Sequence, residues 1–380
     1  MKIVIAPDSY KESLSALEVA NAIEQGFREI WPDADYVKLP VADGGEGTVE
    51  AMVEATTGRI VEVDVTGPLG EPVTAFYGLS GDERTAFIEM AAASGLEQVP
   101  VALRDPLKTT SWGTGELIRH ALDAGVDHII IGLGGSATND GGAGMVQALG
   151  AKLLDARQNE IGKGGAALDA LAQIDISQLD PRLAACRIEV ACDVTNPLTG
   201  KEGASAVFGP QKGATAETID RLDTALAHYA QIIARDLDVD VLELAGGGAA
   251  GGMGAALYAF CGAQLRRGIE IVTDALQLDA CVADADLVIT GEGRIDSQTI
   301  HGKVPVGVAK VAKRYNKPVI GIAGSLTADV GIVHEHGLDA VFSVIYTVCT
   351  LEDALKNAAE NVRMTARNVA ATLKMGQTLR

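Results

Sequence analysis

Three glycine-rich loops each follow an apolar run, and each carries an acid among small hydroxyl or amide residues. They are DGGEGT (Asp43–Thr48), GLGGSATNDGG (Gly132–Gly142) and GEGRIDSQTIHGK (Gly291–Lys303). Glycines let backbone N–H groups approach an anion closely, and a helix beginning behind the loop adds partial positive charge. One such loop is most simply a tight turn. Three of them shift the reading toward a ligand, because open α/β sheets bind at the carboxyl ends of their strands. The chemistry these residue types fit is phosphoryl transfer. It needs amides and cations around the β- and γ-phosphates, carboxylates for Mg²⁺, and a group oriented on the attacking hydroxyl.

The remaining polar residues at strand ends complete that set. Asp8, Ser9 and Lys11 follow the first strand, Asp193 and Asn196 follow RIEVACDV, and Lys212 lies in GPQKG. Glu292, Arg294, Asp296 and Lys303 follow ADLVIT. Mg²⁺ takes one or two carboxylates plus phosphate oxygens and water, so isolated acids on different loops suffice. Asp43, Asp140 and Asp296 serve equally well as helix caps or turn residues.

Other nucleotide and hydrolytic signatures fit less well. No G-x-x-x-x-G-K-[ST] occurs. Gly132, Gly134 and Ala137 match G-x-G-x-x-A, with Asp155 18 residues beyond Ala137, and Gly246, Gly248 and Gly251 repeat the spacing. That makes a nicotinamide-dependent dehydrogenase the rival; a non-catalytic small-molecule sensor is a further alternative. The loop up to Gly142 is too long and polar for the tight dinucleotide turn, and Asp140 would stand beside a pyrophosphate. No G-x-S-x-G elbow exists. His334 and His336 stand at i, i+2, which do not share a helix face. His301, in the third loop, reads as a solvated histidine.

These residues must be held by two kinds of element. KIVIA, a loop, then ALEVANAIEQGFREI gives strand, loop and helix, with Ala16, Val19, Ala20, Ile23, Phe27 and Ile30 at helical spacing. YVKLPVA is a second strand. From Arg59 to Met90 short alternating runs separated by Gly-Pro and Gly-Asp turns predict antiparallel strands. Parallel-type units resume around Ile129–Leu133 and RIEVACDV, and a long amphipathic helix spans about Glu217 to Asp236. Residues 246–254 read as a hinge element or a close helix-packing site. ADLVIT, KPVIGIAG and DAVFSVI are buried strands, closed by a helix from about Leu351 to Leu373. Sheets average five or six strands, so three at the end need the two at the start. The expected α/β fold has two domains: a parallel-type sheet domain from both chain ends (1–60 plus 284–380) and an inserted mixed α/β domain (61–283). An active-site cleft is expected between them.

Composition narrows the partners. The chain has 380 residues, 47% hydrophobic, only 4% aromatic, with 44 glycines, a profile that suits aliphatic strands buried on both faces. The net charge of −20 repels polyanions, so nucleic acid and anionic membrane surfaces are excluded as expected partners. Any phosphate site must therefore be built locally. The five cysteines form no C-x-x-C pair, and their odd number argues for reduced thiols. MKIVIAPDSYKE turns polar too soon for a signal peptide, and no apolar run of about 18 residues occurs. The expected location is cytoplasmic.

Taken in order, APDSYKES, VADGGEGT, GLGGSATNDGG, ACDVTNPLTGKEGA, VFGPQKG, GGGAAGGMGAAL and ITGEGRIDSQTIHGK resemble the signature blocks of the type-1 glycerate kinase family over effectively the whole chain. The likeness is greatest to enterobacterial enzymes of glyoxylate and galactarate catabolism. The resemblance implies ATP-dependent, Mg²⁺-assisted phosphorylation of D-glycerate on its 2-hydroxyl, giving 2-phospho-D-glycerate, and a two-domain α/β fold. Tyr10 stands where the family block commonly has phenylalanine. Roles follow from chemistry. Asp8, Ser9, Lys11 and Arg294 are the candidate substrate contacts, with Lys11 or Arg294 on the carboxylate. Gly134, Gly135, Ser136, Thr138, Asn139 and Lys212 are the candidate ATP and phosphate contacts. The catalytic set is Asp193, Asp296 and Lys11. Either acid orients the hydroxyl, or these acids with Glu292 hold Mg²⁺; the assignment favoured is Asp193 on the hydroxyl and Glu292 with Asp296 on the metal side. A monomer or homodimer is expected.

Overall fold

The run Ile3–Ala6 shows no polar alternation, as a strand covered on both faces requires. It forms the strand Lys2–Ile5, whose Ile3, Val4 and Ile5 are fully buried in a computed structural model that describes residues 1–379. It lies inside a five-stranded, all-parallel sheet of order Ala340–Ser343, Val319–Ala323, Leu287–Thr290, Lys2–Ile5, Asp35–Lys38. Both chain ends thus supply one sheet. Helix Ala16–Arg28 begins with a capping box, Ser15 and Glu18 satisfying each other's amides. Its Val19, Ile23 and Phe27 share a core with Val362, Ala366 and Val369 of helix Ala358–Thr378 and with the sheet residues Ile5, Ile289 and Ile322. Each large apolar side chain buried there contributes about 1.5–3 kcal/mol.

A second sheet has six strands in the order Gln264–Arg266, Arg187–Ala191, His128–Gly132, Thr85–Glu89, Pro72–Leu79, Arg59–Thr66. The last three pair antiparallel and the others parallel. This mixture matches the alternating runs read between Arg59 and Met90. Its core gathers Ile129, Ile131, Ile188 and Val190 of the strands with Leu226, Tyr229 and Ile233 of the helix Ala216–Leu237.

The chain divides into two compact units, one of residues 1–43, 50–57 and 269 onward, the other of 44–49 and 58–268. The second boundary therefore falls at 268/269 and not at 283/284. Residues 269–283 form most of two short helices, and Arg314 of the first unit's helix Val304–Arg314 pairs with Asp279 at 2.8 Å. The closing helix is also corrected. It is two helices, Leu351–Lys356 and Ala358–Thr378, divided at Asn357, whose ψ of 16° breaks the helical run. All five cysteines are free. Among the described residues no helix is long and apolar enough to cross a membrane.

Candidate active-site residues

In the first unit the segments following three adjacent parallel strands bring acids and cations together. Asp8 follows Lys2–Ile5, and its amide donates to the Gly291 carbonyl at 2.8 Å, joining it to the segment after Leu287–Thr290. Its Oδ1 accepts from the Ser9 amide at 2.7 Å and from the Ser9 hydroxyl at 3.3 Å. Burial foremost, then the negative charge of Asp43 and, less, that of Glu292, push Asp8 up to about 7; the Ser9 amide opposes the shift. Lys11 is exposed.

The third glycine loop is pinned by a small parallel pairing of Arg294–Ile295 with Ser325–Leu326. Glu292 is buried, and burial pushes its pKa upward. Its Oε1 accepts from the Thr299 hydroxyl at 2.6 Å and its Oε2 pairs with Lys303 at 3.3 Å. Asp296 caps the short helix Ser297–Ile300: its Oδ1 accepts from the Gln298 amide at 2.9 Å and its Oδ2 from Arg294 Nε at 2.9 Å. Thr299 closes the loop by accepting from the Asp296 amide at 3.1 Å. Both oxygens of each acid expected to hold Mg²⁺ thus already meet protein donors, two of them cations. That donor set does not fit a metal cage. Among the described residues no cluster of three His, Cys, Asp or Glu is arranged to hold a metal ion.

In the second unit the loop after His128–Gly132 divides in two. Gly134 and Gly135 are exposed, whereas Ser136, Thr138 and Asn139 are buried. Lys212, expected on a phosphate, is 2% exposed and lies within the fold. Its ammonium donates to the Thr138 carbonyl at 2.6 Å and to the Ser136 hydroxyl at 3.3 Å. Burial lowers its pKa to about 7, with Asp140 opposing. Asn139 donates to the Ser205 hydroxyl at 2.9 Å. Asp140, fully buried, accepts from the amides of Ser111, Gly142 and Gly144 and from the Ser111 hydroxyl, all at 2.8–3.2 Å. It is a turn clamp, the bland alternative of the sequence. Gly251 settles the question of residues 246–254 as packing: a Cβ there would stand 2.0 Å from the Thr138 carbonyl oxygen.

Asp193 lies beyond the strand Arg187–Ala191, is exposed, and accepts from the Gly268 amide at 3.1 Å. Asn196 donates to the Glu202 carbonyl at 2.7 Å. Asp155, placed by the dinucleotide spacing on a ribose, is a half-buried turn acceptor for the Arg157 and Asn159 amides at 2.8 and 2.9 Å. No helix opens directly after Gly132; the next one is Ala143–Ala148. The dehydrogenase alternative loses its supporting geometry.

The family model described as "Glycerate kinase family" matches residues 3–374. The chain belongs to the glycerate kinase family. It is 68% identical to the "Glycerate 2-kinase" of Escherichia coli (strain K12) across 99% of both chains. It is 61% identical to the "Glycerate kinase" of Bacillus subtilis (strain 168), across 100% of this chain and 99% of that one. A crystal structure described as a candidate glycerate kinase 2 from Salmonella typhimurium LT2 superposes with a TM-score of 0.94 at 85% identity, covering 100% of this chain and 99% of that one.

Within this glycerate kinase the departure at Tyr10 has a definite outcome. Its hydroxyl donates to the Ile322 carbonyl at 2.6 Å, buried under the strand Val319–Ala323, so it adds a fold contact. Sequence reasoning missed Thr299 and Ser111. The first was legible as the fourth residue of D-x-x-T, a capping spacing. Nothing local marked Ser111, because its partner Asp140 is 29 residues away.

Proposed function

We propose that this glycerate kinase transfers the γ-phosphoryl group of ATP to the 2-hydroxyl of D-glycerate, giving 2-phospho-D-glycerate and ADP. The observation that carries the proposal is the full-length 68% identity to a protein named glycerate 2-kinase. The site geometry supports it. The exposed Lys11 and Arg294 offer cations to the glycerate carboxylate, and Arg294 is held for a bidentate contact because Asp296 fixes its Nε. Gly134 and Gly135 present backbone to the ATP phosphates. Ser136, Thr138, Asn139 and Lys212 hold that loop from beneath. Mg²⁺ would neutralise charge on the β- and γ-phosphates. With both oxygens of Glu292 and of Asp296 already engaged by protein donors, no protein step is assigned to it. The proposed setting is glyoxylate and galactarate catabolism.

The test is ADP release, in a coupled assay, over a panel of D-glycerate, L-glycerate, glycolate and lactate. D-glycerate should be strongly preferred. In the phosphorus NMR spectrum a 2-phosphate couples to one carbon-bound proton and gives a doublet, whereas a 3-phosphate couples to two and gives a triplet. A triplet would overturn the regiochemistry and leave the kinase. Nicotinamide-linked oxidation of glycerate without ADP release would overturn both.

A further inference from the structure

We propose that Asp8 is the catalytic proton acceptor for the glycerate 2-hydroxyl, a role for which the sequence nominated Asp193 and Asp296. The inference rests on the glycerate kinase reading above. Three observations point to it. Asp8 lies three residues beyond the interior strand Lys2–Ile5 of the parallel sheet, past the carboxyl edge where such sheets bind ligands. Its carboxylate is half anchored: Ser9 holds Oδ1 with two hydrogen bonds, fixing the group's orientation, while Oδ2 takes no hydrogen bond among the described residues. Of the alternatives, the Asp296 oxygens meet Gln298 and Arg294 and those of Glu292 meet Thr299 and Lys303, while Asp193 is exposed to water and lies outside this sheet, beyond the strand Arg187–Ala191.

The environment of Asp8 suits the task. Asp43 faces it from the segment after Asp35–Lys38 and Glu292 from the segment after Leu287–Thr290; Lys303 is paired with Glu292. Burial, and after it the two like charges, make Asp8 a stronger base than an ordinary carboxylate, whose pKa near 4 is too low for efficient proton acceptance at neutral pH. In the step assigned to it, Oδ2 takes the hydroxyl proton as the glycerate O2–phosphorus bond forms. The bond from the γ-phosphorus to the β–γ bridging oxygen breaks, and its electron pair leaves with ADP. Asp8 then returns its proton to water.

The same environment fixes a stability sign. The folded pKa is raised, so the folded protein binds this proton more tightly than the unfolded chain. The stability from this group is present in acid and is lost as pH rises through about 7. Asp8→Asn, neutral and nearly isosteric, should therefore melt at or above the wild-type Tm at pH 7.5, with the difference vanishing toward pH 4.

The experiment is steady-state kinetics of wild type, Asp8→Asn and Asp193→Asn with ATP and D-glycerate from pH 5.5 to 9, alongside melting curves. Asp8→Asn should lose about 10²–10⁴ in kcat, lose the wild-type rise of rate through about pH 7, and keep a similar glycerate KM. Asp193→Asn should keep that rise. A rate for Asp8→Asn within tenfold of wild type would overturn the proposal. So would recovery in excess Mg²⁺, which would make Asp8 a metal ligand, and so would an insoluble variant, which would make it a support of the fold. If wild type phosphorylates no hydroxy acid, the glycerate kinase reading itself falls, an outcome separate from any of these.

Discussion

Lys212 donates its ammonium hydrogen bond to the Thr138 carbonyl across 2.6 Å, although 74 residues separate the two. The lysine therefore shapes the glycine loop from inside. Lys212→Met should leave that carbonyl unpaired and loosen the loop. A charge-assisted hydrogen bond is worth about 1.5–3 kcal/mol, so the KM for ATP should rise at least tenfold. The pH dependence supplies an independent check. The folded pKa is lowered to about 7, so between there and the ordinary lysine range the unfolded chain binds the extra proton. Stability from this group then rises with pH across that window. Subtracting the Lys212→Met melting series from the wild-type series should expose that slope; parallel series would show a freely solvated lysine.

Gly134 and Gly251 separate phosphate contact from packing. A Cβ on Gly134 meets nothing within 4 Å, so Gly134→Val should fold normally, yet it places a branched side chain over exposed backbone amides. Its ATP affinity should fall by tenfold or more in a binding titration, with Tm within a degree or two of wild type. Gly251 has φ +67° and a Cβ would stand 2.0 Å from the Thr138 oxygen. Gly251→Ala should cost about 2–4 kcal/mol by denaturant unfolding, from overpacking together with the left-handed backbone. Normal ATP affinity in Gly134→Val would move the phosphates elsewhere.

Asp296→Asn tests whether this acid serves the metal or the arginine. Asparagine caps as well as aspartate does, so Tm should hardly change. The exposed Arg294 loses its ion partner, and the glycerate KM should rise about two- to fivefold, the worth of a pair with one solvated member. The Mg²⁺ concentration giving half-maximal kcat should match wild type. A shift to higher Mg²⁺ would restore Asp296 as a metal ligand.

Tyr10→Phe removes one buried hydroxyl and its bond to Ile322. Chemical unfolding should show a loss of about 1 kcal/mol, while kcat and both KM values stay at wild-type levels. A change in glycerate KM would place that hydroxyl at the substrate.

The sequence by itself determined the elements and the family. Strand and helix periodicity are local properties, so the uninterrupted run at Ile129–Ile131 and the spacing of Val19, Ile23 and Phe27 announced their elements directly. Joining both chain ends in one sheet was also legible, because three strands were too few to stand alone. What the sequence could not decide was the employment of each polar side chain, since that depends on partners remote in the chain. Asp140 and Asp8 look alike in sequence, each an acid in a loop after a strand. Ser111, 29 residues away, joins the Gly142 and Gly144 amides in clamping both oxygens of the first, whereas the second is held by Ser9 through Oδ1 and, buried, faces Asp43 and Glu292, brought beside it by strand order. Lys212 likewise reads as a loop cation until the fold buries it against Thr138. Only tertiary structure assigns hydrogen-bond partners across such separations, and those partners decide whether a charged group supports the fold or stays available for chemistry.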